Sequence, residues 1–168
     1  MLRAYRNTAL VLAATSLVGG AGVGVAQASS ATTGVAPSAC RPANHTAKIT
    51  KAPDSAGHRH YRVTLTAPRG YDPCRLAGSP TDVRFSHHGS RSSITTGRYG
   101  VQKHVVTFGP GHPVHFDIQV PGSGHAITAD EATFTLQAPG GEIPGTSFAR
   151  GALKVTNGTR IGPVERGA

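Results

Sequence analysis

The run His60-Tyr61-Arg62-Val63-Thr64-Leu65-Thr66-Ala67, closed by Pro68-Arg69-Gly70-Tyr71-Asp72-Pro73 and then Cys74, decides the fold. Tyr61, Val63, Leu65 and Ala67 alternate with His60, Arg62, Thr64 and Thr66. That two-residue period belongs to a strand with one buried face. Proline and glycine then end the strand, since one fixes φ and the other supplies turn conformations. The same signature recurs outward along the chain. Ala47 and Ile49 alternate with Thr46 and Lys48, and Val83 and Phe85 with Asp82, Arg84 and Ser86. Gly89 to Gly100 reads as a long polar loop or an edge.

Val105 to Phe108 and Val114 to Val120 flank Gly109-Pro110-Gly111-His112-Pro113, which reads as a hairpin connection. On the second arm Val114, Phe116, Ile118 and Val120 share one face, while His115, Asp117 and Gln119 share the other. Phe134, Leu136 and Ala138 form a further strand, ended by Pro139-Gly140-Gly141. Leu153 and Val155 run into Asn157-Gly158, the strongest short hairpin signal, and Ile161 and Val164 return. About seven or eight short strands and no helix predict an all-β fold: an antiparallel β-sandwich of Ig-like or Greek-key type. Each buried core side chain contributes about 1.5–3 kcal/mol before entropy is subtracted.

The amino-terminal region reads as an export leader. Arg3 and Arg6 precede an uncharged run from Thr8 to Val25, and Ala26-Gln27-Ala28 offers small residues for cleavage. The expected organisation is a signal peptide at 1–28, a flexible Ser/Ala/Thr/Pro spacer at 29–39 and one β-sandwich domain at 40–168. The expected location is outside the cytoplasm, either released or held at the cell wall, with no transmembrane segment after cleavage. Cys40 and Cys74 are the only two cysteines of the chain. In an oxidising compartment they are expected to pair, and a lipid-anchored Cys40 is the alternative. Closing that loop would stabilise the fold by about 3.7 kcal/mol.

Of the formal net charge of +9, Arg3 and Arg6 contribute two, leaving +7 beyond the leader. Nine histidines add charge as the pH falls. Such a chain favours anionic partners, an anionic wall polymer or an envelope protein among them. Its basic residues are scattered, and eleven arginines against four lysines beyond the leader is also the bias of a GC-rich genome. Residues expected to meet an anion are Arg59, Arg62, Arg84, Arg91, Arg98 and Lys103, on outward strand positions or in the central loop.

Cys40, the strand at Tyr61 to Thr66 and the stretch Cys74-Arg75-Leu76-Ala77-Gly78-Ser79-Pro80 occur in an ordered set with Gly109-Pro110-Gly111 and Pro139-Gly140. Over about Cys40 to Val164 this set resembles the secreted actinobacterial family catalogued as domain of unknown function 4232. The chain departs from it at Ala67-Pro68-Arg69-Gly70, where the family often has an Asn-Thr-Gly-like turn. It departs again at Ser79, where the family favours an aromatic. The resemblance implies a small secreted or surface-tethered β-sandwich with one disulfide, and no activity.

Catalytic signatures are missing. No Gly-x-Ser-x-Gly elbow occurs, and Asp130-Glu131 are adjacent, so on a strand they face opposite ways rather than forming a carboxylate pair. No cofactor is expected and no enzyme. With no Trp, and with Tyr71 and Tyr99 as isolated loop rings, sequence-specific nucleic-acid binding is not expected. The alternative function is metal binding through His58 and His60, which alternate on a strand, or through His87 and His88. Neighbours such as His87 and His88 are expected to diverge to opposite faces.

Overall fold

The computed structural model describes residues 37–168, so the leader read at 1–28 and most of the spacer read at 29–39 lie outside the described residues. The folded unit starts earlier than Cys40. Ser38 bridges to Asp72, Asp72 N–H donates to the Pro37 carbonyl, and Ala39 is fully buried. Its backbone bonds, rather than its composition, decide that this end of the spacer belongs to the domain.

The chain is almost entirely β. A 3₁₀ turn at Pro42–Asn44 precedes β1 (Thr46–Ser55), β2 (His58–Thr66), β3 (Cys74–Ala77), β4 (Thr81–His87), β5 (Ser90–Arg91) and β6 (Gly97–Arg98). There follow β7 (Val105–Phe108), β8 (Val114–Pro121), β9 (Ile127–Thr135), β10 (Gln137–Ala138) and β11 (Gly141–Glu142). The last are β12 (Ser147–Val155), β13 (Arg160–Ile161) and β14 (Glu165–Arg166). Eight of these run four residues or more, the number of strands expected; the others are two-residue pairings. The alternation in β2 is as read, with Tyr61, Val63 and Leu65 buried.

One ten-stranded sheet runs in the order β5-β4-β9-β12-β1-β2-β8-β13-β6, with β14 also on β8. It is mixed rather than purely antiparallel, because β1–β12 and β13–β6 are parallel. The sheet folds over on itself. Phe116 on β8 and Phe134 on β9 lie four strand steps apart, roughly 19 Å in a flat sheet. Their rings meet edge to face at 5.1 Å. The two halves therefore face each other across one core, which Val63, Leu65, Phe85, Ile118, Leu136 and Val155 also fill. The β3–β7 ribbon adds Leu76, Val106 and Phe108 to that core.

Two predicted hairpins change partners. The Gly109–Pro113 connection does reverse the chain, with Gly109 and His112 exchanging backbone hydrogen bonds. Yet β7 pairs with β3, and β8 pairs with β2, β13 and β14. Likewise the Asn157-Gly158 turn forms, but its return strand β13 lies on β8 rather than on β12. Turn chemistry specifies a reversal, and burial of the apolar faces selects the partner.

Candidate functional site

The disulfide organises the main concavity. Cys40 and Cys74 are bonded with Cα atoms 5.9 Å apart, so Cys40 has no thiol left for a lipid. Around the bond, the 3₁₀ turn, β3, the β10–β11 hairpin and the loop Ile143-Pro144-Gly145 enclose a cleft of about 840 Å³. That is within the size range of small-molecule sites. Its walls are apolar: Pro42, Ala43, Ala138, Pro139, Ile143 and Pro144.

The walls are held by specific bonds. Asn44 Nδ2 donates to the Ser38 carbonyl at 2.7 Å, and Ile143 N–H donates to the Leu136 carbonyl at 2.9 Å. A Cβ on Gly145 would stand 3.0 Å from Pro42 Cγ, so only glycine lets these two walls approach so closely. His45 anchors the segment behind the cleft. Its Nδ1–H donates to the Ala39 carbonyl and its Nε2 accepts from Ser147 Oγ, both at 3.0 Å, while its ring meets Phe108 edge-on. Desolvation lowers the His45 pKa below its ordinary value, against the raising effect of carbonyl contacts from Ala39 and Arg41.

Two cations flank the cleft. Arg41 and Arg75 both line it, are both exposed, and neither enters an ion pair among the described residues. Each immediately follows a half-cystine, so the Cys40–Cys74 bond gathers the two guanidinium groups at one site. That was the signal available in the sequence, and neither residue was among the six expected at an anion site.

Those six are dispersed. Arg62 is paired with Asp117 at 3.3 Å, and Arg59 donates to the Pro121 carbonyl while its Nε is buried without a partner among the described residues. Arg84 and Arg91 stand exposed on β4 and β5. Arg98 and Lys103 line a smaller depression near Gln102. Since β5 and β6 are the two ends of the strand order, Arg91 and Arg98 belong to different edges of the sheet.

The histidines fall into separate groups. His60 shares a hydrogen bond with Ser55 Oγ, and His58 Nδ1–H donates to the Ala56 carbonyl, leaving their ring centroids 6.4 Å apart. His115, read as outward, is covered by β14 and donates from Nδ1 to the Gly167 carbonyl. His87 and His88 do not diverge. His88 is the first residue of a two-residue turn, with φ +48° followed by Gly89 at +80°, and this left-handed pair swings its ring back beside His87 at 4.1 Å. Asp130 completes the cluster, 3.1 Å from His87 Nδ1. Of the two loop tyrosines, Tyr71 packs against the core and Tyr99 is half-buried over Gly162.

Fold and site together define a disulfide-stapled all-β domain with an apolar, arginine-flanked cleft. No protein-family model, no curated protein and no solved structure matches the chain. No helix among the described residues is long and apolar enough to cross a membrane.

Proposed function

We propose that the protein is a non-catalytic, exported binding module of the bacterial envelope whose ligand surface is the cleft beside Cys40–Cys74. Membership of the family it resembles, domain of unknown function 4232, belongs to the same proposal and rests on the order of the motifs. The observation carrying the reading is the junction of apolar walls with two unpaired guanidinium groups, Arg41 and Arg75. Such a site fits an anionic amphiphile, an acyl chain ending in a carboxylate or a phosphate. Each buried methylene contributes about 0.8 kcal/mol, and the headgroup accepts charge-assisted hydrogen bonds from arginine. The export part of the proposal is supported by the disulfide and the leader-like sequence at 1–28.

The test is titration of tag-free mature protein with dodecanoate, dodecyl phosphate and the neutral dodecanol. Both anions are expected to bind saturably, and at least about tenfold more tightly than the alcohol, the factor equal to about 1.4 kcal/mol. The double substitution Arg41→Gln/Arg75→Gln should remove that preference, and high salt should weaken it. Ile143→Asp should weaken all three. Absence of saturable binding, or an anion preference surviving the loss of both arginines, refutes the assignment.

A further inference from the structure

We infer that His87, His88 and Asp130 form a second site, separate from the cleft, which binds one divalent transition-metal ion, copper(II) in preference to zinc. One ligand atom from each of the three side chains lies within 4.8 Å of the others. Nδ1 of His87 and Nδ1 of His88 stand 3.1 and 3.5 Å from Asp130 Oδ2. Metal–nitrogen bonds near 2.0–2.1 Å set neighbouring ligands about 3 Å apart, so little movement is required to admit an ion.

The backbone prepares this arrangement. His88 N–H donates to both oxygens of Asp130, at 3.3 and 3.1 Å, and so fixes the carboxylate against the turn. Glu131 does not compete, because it accepts from Ser86 Oγ and pairs with Arg150. The His88 side chain is 83% exposed, His87 46% and Asp130 37%, so an ion has access and water fills its remaining positions. Two imidazoles and one carboxylate make a borderline donor set, for which copper(II) outranks zinc among divalent ions.

Full-length exported protein without an affinity tag is titrated calorimetrically with copper(II) alone and with zinc alone, and the copper complex is examined by electron paramagnetic resonance. One equivalent is expected, with two equatorial nitrogens in the spectrum and a weaker zinc isotherm. Loss of an outer-sphere partner alone weakens metal sites by about 10- to 100-fold. His87→Gln, His88→Gln and Asp130→Asn are therefore each expected to cost at least about tenfold. An asparagine oxygen can still accept the His88 N–H, so Asp130→Asn tests the ligand and not the hairpin. His58→Gln/His60→Gln should leave the affinity unchanged. The inference falls if no equivalent binds, if the spectrum lacks two nitrogens, if Asp130→Asn binds as before, or if the affinity follows His58 and His60. Failure of cleft binding leaves these outcomes untouched, because the two sites share no residue.

Discussion

At the scale of single residues, His45 carries a pH dependence of stability with a definite sign. Its ring is held neutral in the fold, with Nδ1–H donating to the Ala39 carbonyl and Nε2 accepting from Ser147 Oγ. Burial lowers its pKa, so the unfolded chain takes up the proton first as the pH falls. This contribution to stability is complete above the unfolded value near 6.5. It is lost progressively as the pH drops below that value toward the lower folded one. Urea unfolding at pH 7.5 and pH 5 should show the wild type losing more stability on acidification than His45→Gln. An equal loss in both proteins would mean that His45 is not the group responsible. The amide of Gln can supply both a donor and an acceptor, so the variant isolates the titration from the hydrogen bonds.

At the scale of elements, the seam between β1 and β12 decides whether the sheet is continuous. The parallel pairing is short, from Ala47↔Ala149 to Lys48↔Arg150, and β12 then shifts register between Arg150 and Leu153. Gly151 sits in that irregularity at φ +153°, where a Cβ would overlap the Ile49 carbonyl oxygen and stand 2.9 Å from Ile49 Cβ. Gly151→Ala should therefore destabilise the protein by about 1–3 kcal/mol or more, since either strand must move. Chemical denaturation measures it, and a change below about 0.5 kcal/mol would show that the seam is pliable. The open Gly140, in the β10–β11 turn, serves as a control, because nothing lies within 4 Å of its missing Cβ.

This seam also marks the limit of what the sequence makes legible. Inward faces of β2, β4 and β8 follow from alternation with a period of two, whereas Ser86 and His115, read as outward, are buried as well. The partners of β7 and β13 do not, since strand pairing is a long-range choice among similar apolar edges. The cysteine pair is legible from the count of two, and with it the juxtaposition of Arg41 and Arg75, each next to a half-cystine. The His87–His88–Asp130 cluster is not. It depends on a left-handed backbone at His88 and on β9 lying beside β4, neither of which has a local signature.

At the scale of the whole molecule, the disulfide joins the segment ahead of β1 to the β3–β7 ribbon, and so ties two layers of one core across 34 residues of chain. If the bond acts mainly by restricting the unfolded chain, Cys40→Ser/Cys74→Ser should lower stability by about 3.7 kcal/mol. The denaturant slope should rise as well, because the freed chain exposes more surface when unfolded. Wild-type protein unfolded under reducing conditions should match the variant in both quantities. The core should survive in the variant, since the Phe116–Phe134 contact and the pairings of β1 and β2 with their neighbours are made without the covalent bond. The cleft should not keep its selectivity, because Arg41 and Arg75 are gathered by the bond itself. A variant that retained wild-type stability and still preferred dodecanoate over dodecanol would show that the 3₁₀ turn and the Ser38–Asp72 bridge position Arg41 without covalent help.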